Sequence, residues 1–281
     1  MFLVIVRANK IHKNVLLEYC RREPDYNLFA IGDLMSFSLG EDFMDVFIEV
    51  DQKPFRNEKN ALDLDKIQGL VLRYYENLLP ISYLENYGFN NILELLSRTH
   101  KKKFNYSGKP ATIREMLKFF SKRSDYEYRE TFFCNNQELK TIDGMRTDLN
   151  TARLKCEDIE DYRNLLQSIF PESLQPSQEA IENNLETNSS RYYVIKKGNK
   201  IVSSAATGIE TPISAMIIAV MTRPEYQNQG FATAVIYQLC KDLLKEGRTP
   251  YLFYDNPQAG RIYKKIGFED IGKYALGTVQ F

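Results

Sequence analysis

The feature of the sequence best suited to chemistry is a helix start that follows an apolar strand. The stretch "VMTRPEYQNQGFATAV" (220–235) leaves an apolar run at a proline, and Gly230 opens a predicted helix. The first amides of a helix lack internal partners, and the helix dipole adds partial positive charge there. Such a terminus binds anions, phosphate above all. Because Gly230 and Ala232 are small, we expect a pyrophosphate to approach these main-chain N–H groups closely.

Two common phosphate-binding patterns do not fit this loop. It lacks the Gly-Lys-Ser/Thr of a P-loop, and it has one of the three glycines of a dinucleotide-binding fingerprint. The hexapeptide "QNQGFA" (227–232) instead resembles the acetyl-CoA signature R/Q-x-x-G-x-G/A of the GNAT N-acetyltransferases. Taken alone, that hexapeptide also fits an ordinary helix start.

A second motif strengthens this resemblance. "LFYDNPQAGRIYKKIGF" (252–268) resembles the GNAT pattern N-x-x-A-x-x-x-Y-x-x-x-G-F, and the strand before the first motif carries the family's V-x-T-x-P. Residues 151–281 are therefore identified as a member of the GNAT superfamily. The whole chain resembles bacterial proteins in which a degenerate GNAT-like domain precedes a working one.

The resemblance implies that acetyl-CoA is the cofactor, with its pantetheine arm between two central strands and its pyrophosphate on the loop. No metal is implied, because amides and the helix dipole supply the positive field. The cofactor contacts that it implies are Val220, Met221, Thr222, Gln227, Asn228, Gln229, Gly230, Phe231, Ala232, Thr233, Asn256 and Ala259.

The implied reaction is direct attack of an amine on the thioester in a ternary complex. Tyr263, at the family's tyrosine position, would protonate the departing thiolate; the alternative is a tyrosine that only packs. Asn256 has an alternative role as a helix cap. The general base is open: Glu210 is the first candidate, with a solvated turn carboxylate as its alternative, while Asp255 and a water chain are others.

The elements expected to position these residues run β-α-α-β-β-β-α-β-α-β through the second half, with a buried central strand "SAMIIAVMT" and a helix "FATAVIYQLCKDLLKEG". This is a mixed α/β sheet. The first half gives a vaguer version of the same order, which indicates a degenerate duplication. We expect a degenerate domain over 1–140 and a catalytic domain over 150–281, with the boundary in the polar segment 136–152. The first domain would wall the acceptor site or mediate association as a homodimer.

Composition narrows the possible partners. Lys+Arg and Asp+Glu are equal at 37 each, which argues against a nucleic-acid binder. No apolar stretch approaches the ~20 residues that span a bilayer, and four scattered cysteines without CxxC indicate reduced thiols in a cytoplasmic protein. A zinc site is not expected, because the chain has only two histidines. The sequence thus predicts an N-acetyltransferase acting on a small-molecule or protein amine, an antibiotic among them. The alternative is an acyl-CoA-binding module without transfer activity.

Overall fold

The computed structural model describes residues 3–51, 62–99, 103–121, 125–171 and 175–281. The chain divides into two compact units. Unit 1 comprises Met1–Thr131 together with Lys273–Phe281, and unit 2 comprises Phe132–Gly272. The last strand of the chain thus contributes its larger part to the first unit.

Unit 1 is a mixed sheet with helices. Its strands are β1 (Leu3–Arg7), β2 (Met44–Asp51), β3 (Ile67–Tyr74), β4 (Asn77–Ile81) and β5 (Lys103–Gly108). Its helices are α1 (Lys13–Cys20), α2 (Leu28–Ser36), α3 (Asn90–Thr99) and α4 (Pro110–Leu117). The strand order is β1-β2-β3-β4-β5, followed by residues 275–280 of the last strand, β12 (Glu269–Gln280). All neighbours are antiparallel except β4 and β5, which run parallel.

Unit 2 repeats this plan. The strand β6 (Tyr126–Asn135) enters it at residue 132, and its other strands are β7 (Thr151–Arg153), β8 (Tyr192–Lys197), β9 (Lys200–Glu210), β10 (Ser214–Thr222) and β11 (Thr249–Tyr254). Its helices are α5 (Ile159–Gln167), α6 (Gln178–Thr187), α7 (Phe231–Lys245) and α8 (Pro257–Ile266). The strand order is β7-β8-β9-β10-β11-β6, and only β10 and β11 run parallel.

The two units share one topology, and each takes its final strand from a distant part of the chain. β12 pairs with β5 in unit 1, whereas β6 follows α4 in the sequence but pairs with β11 in unit 2. The element order of the second half matches the expected one, and the mixed α/β sheet is confirmed. The first half contains two strands, β4 and β5, beyond those expected. That unit 1 is a degenerate GNAT-like domain stays a prediction.

Local sequence signals explain most of the elements that carry the site. α7 forms because its apolar residues recur at helical spacing, and it buries Val235, Leu239 and Leu243 on the core of unit 2. Gly247 ends it in the left-handed region at φ 75°. Ser177 caps α6, accepting a hydrogen bond from the amide of Ala180 at 3.1 Å, as the preference of serine for this position favours.

Several boundaries differ from the expected ones. The division between the units falls at 131/132, before the polar segment 136–152, and residues 273–281 belong to unit 1. The closing stretch forms one strand, β12, instead of several. Strands β4 and β5 had no sequence signal. The sequence also favours a long hairpin loop over residues 51–65 and a solvated strand end at the basic run "HKKKF" (100–104). Residues 52–61 and 100–102 of these two segments lie outside the described part of the chain.

Candidate active site

An opening in the sheet of unit 2 lies between its two parallel strands. β10 and β11 pair only from Ser214 opposite Thr249 to Met216 opposite Tyr251. Both strands continue, β10 to Thr222 and β11 to Tyr254, without pairing to each other. The outer edge of each is occupied, by β9 and by β6 respectively. The two inner edges therefore present main-chain groups to the opening, as the edge strands that pair with an extended ligand do.

A β-bulge in β10 sits beside this opening. Ile218 pairs with Ala206 and Met221 with Ser204, so the register shifts between them. Ala219 adopts a left-handed φ of 50°, a strained conformation for alanine. Its carbonyl accepts a hydrogen bond from Ser204 Oγ at 3.3 Å. Irregularities of this kind bend a strand and end its pairing. A first register shift, between Met216 and Ile217, falls where β10 stops pairing with β11, and the bulge at Ala219 follows it.

Main-chain direction along β10 favours the predicted contacts at Val220 and Thr222. The amide of Arg223 donates to Val202 of β9 at 2.9 Å. Backbone groups of alternate residues point to the same edge of a strand, so Met221 faces β9 with Arg223. The carbonyl of Met221 indeed accepts from Ser203 Oγ at 2.9 Å. Val220 therefore turns its amide and carbonyl toward the opening. Thr222 turns its amide there, while its carbonyl accepts a hydrogen bond from Gln227 Nε2.

The loop after β10 presents a run of unpaired amides. No described residue accepts a hydrogen bond from the amides of residues 228–233. Gly230 is the N-cap residue of α7 and has no side-chain cap, and it lies in the left-handed region at φ 83°. Asn228 is left-handed as well, at φ 58°. Together the loop and the helix start give a cradle of N–H groups at the positive end of α7.

The loop side chains hold the loop itself. Gln227 Nε2 donates to the carbonyl of Thr222 at 3.2 Å, and Gln229 Nε2 donates to the carbonyl of Glu225 at 2.9 Å. The ring of Phe231 is buried and meets Tyr226 edge-on, with centroids 5.5 Å apart. These contacts engage the side chains of Gln227, Gln229 and Phe231 within unit 2 and leave the amides of residues 228–233 without a described acceptor.

Helix α8 carries the second motif. Asn256 is its N-cap, and Asn256 Oδ1 accepts from the amide of Gln258 at 2.9 Å. The alternative role foreseen for Asn256, a helix cap, is therefore observed, while its cofactor contact stays a prediction. Ala259 is half-buried against the core of unit 2. A methyl group on Gly260 would lie 2.4 Å from the ring of Tyr254, so α8 packs this closely on β11 only with glycine there.

Tyr263 lies on the buried face of α8. Its ring packs on Tyr254 and Phe268, with centroid distances of 5.7 and 5.9 Å. No described residue forms a hydrogen bond with its hydroxyl. Burial raises the pKa of this hydroxyl above its ordinary value, so it stays protonated at neutral pH. A protonated phenol without a protein partner is suited to donate a proton to a ligand.

Glu210 lies elsewhere in unit 2. It ends β9, next to the start of β10, whereas the loop follows the far end of β10. Its carboxylate accepts from Arg191 Nε and Nη2, both at 2.9 Å, and forms a further ion pair with Arg248. The side chain is only 8% exposed. These contacts favour a structural role. Among the other candidates, Asp255 directly follows β11, at the same end of the strands as the loop.

One functional candidate was missed because no sequence motif marks it. The segment 136–150, expected to be a boundary, packs Ile142 and Leu149 into the core of unit 2. It brings Arg146 to the loop after β10, since a methyl group on Gly230 would lie 3.3 Å from Arg146 Cγ. Nothing in the spacing of this polar stretch indicates that contact, which depends on the tertiary fold.

Two kinds of feature are absent from the part of the chain that the structure describes. They contain no group of three or more His, Cys, Asp or Glu side chains placed to hold a metal ion. They also contain no helix with the length and apolar character to cross a membrane.

Comparison with protein families decides the assignment of the fold. The GNAT acetyltransferase family model matches residues 86–276, about two thirds of the chain. The chain belongs to the GNAT acetyltransferase family. The recognition made from the two motifs is thereby confirmed, and both motifs lie inside the matched range.

Individual relatives of this GNAT chain are distant. An uncharacterized N-acetyltransferase, ycf52, of Gracilaria tenuistipitata var. liui is 29% identical over 89 residues, which are 32% of this chain and 48% of that protein. The chain thus spans about half the length of this curated relative.

Solved structures agree with the GNAT fold over nearly the full length. A Drosophila protein superposes with a TM-score of 0.69 at 10% identity, covering 99% of this chain and 98% of that one. A GCN5-related N-acetyltransferase from Sphaerobacter thermophilus gives 0.63 at 15% identity, covering 98% and 95%. At these identities the likeness concerns the fold alone.

Proposed function

We propose that this protein transfers an acetyl group from acetyl-CoA to an amine by direct attack in a ternary complex. The observation that carries the proposal is the joining of two features in unit 2. The amides of residues 228–233 are unpaired at the start of α7, and the loop leads straight from the open edge of β10. A diphosphate on the amides would place an attached extended arm in the opening.

The chain's own groups then supply the remaining tasks. Open main-chain groups of Val220 and Thr222 would pair with the pantetheine amides, as a neighbouring strand would. The amide of Val220 would polarise the thioester carbonyl; Met221, the other residue expected to do so, faces β9. Tyr263 would give its proton to the thiolate as it leaves. Deprotonation of the amine is assigned to Asp255 or to water, since Glu210 is held by two arginines.

Neither charge nor sequence identifies the acceptor amine, so the test begins with the cofactor. Isothermal titration of the full chain with CoA is expected to show one site per chain with micromolar affinity. Release of free CoA thiol is then followed while a library of small amines and peptides is presented with acetyl-CoA. Absence of CoA uptake at millimolar concentration by folded protein would overturn the proposal. Uptake without thiol release for any amine would favour the alternative, a binding module without transfer activity.

A further inference from the structure

We propose that Arg146 and Lys197 bind the phosphates of the cofactor, so that residues outside both family motifs set its affinity. This inference rests on the proposed function, because it names groups that recognise the same ligand. Both residues lie outside the two motifs. Arg146 lies in the segment before β7, and Lys197 lies at the end of β8.

Arg146 lies directly over the start of α7. Its aliphatic stem is in contact range of Gly230, and its guanidinium carbon lies 5.9 Å from the centroid of the Phe231 ring. Nη1 is 3.5 Å from the carbonyl of Gln229, at the outer limit of a hydrogen bond. The cation therefore stands beside the unpaired amides, where the oxygens of a bound diphosphate would be.

A neighbouring carboxylate orients this guanidinium without using all its donors. Asp148 accepts from Nε at 2.7 Å and from Nη2 at 2.5 Å. Arg146 in turn lowers the pKa of Asp148 to about 2, so this carboxylate is ionised at all physiological pH values. A guanidinium carries five N–H donors, and the pair leaves those on the Nη1 side directed at the loop. The arginine is thereby held in one orientation before any ligand arrives.

Lys197 approaches the same point from another element. Its Nζ lies 5.8 Å from the centroid of the Phe231 ring. It forms no ion pair with a described carboxylate, but it lies near enough to Asp148 to contribute to the lowered pKa of that carboxylate. Two cations and one carboxylate thus surround the positive end of α7, which leaves the site with net positive charge. Such a site favours a phosphate, and the field adds to the contributions of the amides.

The experiment compares CoA binding by the wild-type chain with that of R146Q and K197Q, by isothermal titration at low ionic strength. Each substitution is expected to weaken CoA binding roughly tenfold, the effect of one charge-assisted contact at a half-exposed site. The loss should shrink as salt is added, because exposed charges are screened. The melting temperature of each variant is measured alongside, and the two variants come from separate elements, so a folding defect in one leaves the other informative.

R153Q serves as the matched control. Arg153 is also an arginine of unit 2 that stacks on an aromatic ring, Tyr193, at 4.9 Å, but it lines a cavity with Glu210 instead of the loop. Its CoA affinity should equal that of the wild type. Titration with 3′-dephospho-CoA then identifies the phosphate concerned. A loss for both ligands assigns the cations to the diphosphate, and a loss for CoA alone assigns them to the 3′-phosphate.

Two failures are distinguishable. If the wild-type chain takes up no CoA, the proposed function itself fails. If the wild type binds CoA and both R146Q and K197Q bind it as tightly, only the present inference is overturned, and the amides alone hold the phosphates.

Discussion

Replacing Tyr263 by phenylalanine removes one hydroxyl from the proposed site and little else. The ring packs in the core of unit 2 through Tyr254 and Phe268, and phenylalanine keeps those contacts. The hydroxyl forms no hydrogen bond with a described residue. Its loss should therefore change the free energy of unfolding by less than about 1 kcal/mol, since a typical protein hydrogen bond is worth about that much and none is broken.

The effect on turnover should be far larger. Proton donation by a positioned side chain contributes roughly 10²–10⁴ in rate. At about 1.36 kcal/mol per tenfold, this corresponds to about 3–5 kcal/mol of the barrier. Because the hydroxyl acts on the leaving thiolate, kcat should fall while the affinity for CoA stays within a few fold. Burial raises the pKa of Tyr263 above its ordinary value of 10.0, so this group should give the wild type no alkaline limb below pH 10.

The assay follows thiol release from acetyl-CoA with an acceptor found in the library screen, or with water as acceptor if hydrolysis is measurable. Y254F is the matched control. Tyr254 lies on β11 beside Tyr263, and its hydroxyl donates to Asp270 at 2.8 Å. Its removal should cost about 0.5–1.5 kcal/mol of stability with little change in kcat. If Y263F is folded, binds CoA and turns over within threefold of the wild type, Tyr263 only packs, and another group protonates the thiolate.

Three further perturbations test other parts of the reasoning. Glu210→Gln should lower the free energy of unfolding by up to about 3 kcal/mol in chemical denaturation, because it leaves Arg191 and Arg248 short of a buried partner, while turnover of the folded variant persists. Loss of turnover in a folded variant that still binds CoA would restore Glu210 as the base. Asp33, 8% exposed, has a pKa raised to about 7 by burial. The folded pKa lies above the unfolded value of 3.8, so the free energy of unfolding falls as the pH rises from about 4 through 7. Asp33→Asn should therefore raise the free energy of unfolding by up to about 4 kcal/mol at pH 8 and by little at pH 4. Equal increases at both pH values would refute this cause. Deleting residues 273–281 removes the buried side chains of Tyr274, Ala275 and Val279 and the partner of β5, so hydrogen exchange should show unit 1 losing about 3–6 kcal/mol. Unchanged protection of β5 would contradict the strand assignment.

The helices and strands of unit 2 and the position of the loop after β10 could be predicted from the sequence, because both depend on short-range signals. Helical spacing identified α7, and a continuous apolar run identified β10. The bulge at Ala219 could not be foreseen, since alanine gives no sign of a left-handed φ of 50°. The contact between Arg146 and the loop depends on the way a polar segment packs, and no periodicity encodes it.

The loop after the fourth strand shows how the two units differ. Unit 2 has "QNQGFA" there, and unit 1 has "ENYGFN" (85–90) in the same place after β4. Asn86 and Asn228 share the left-handed region, both at φ 58°. In unit 1, however, a carboxylate, Glu85, stands at the first position and would repel a phosphate. The Tyr87 hydroxyl donates to Glu49 Oε2 at 2.6 Å. These differences support the proposal that unit 1 no longer binds CoA.

The positions of β6 and β12 in the sheet determine how the role of unit 1 can be tested. Deleting residues 1–140, the range expected for the first domain, would also remove β6, which pairs with β11 along Phe132–Asn135. β11 forms one side of the opening, so the loss of its outer partner would disturb the cofactor site itself. Inactivity of that fragment would therefore say nothing about the acceptor. Point changes inside unit 1, such as Asp33→Asn, leave β6 and the segment around Arg146 in place. A change in acceptor turnover from such a variant, at constant CoA affinity, is the result that would tie unit 1 to the acceptor.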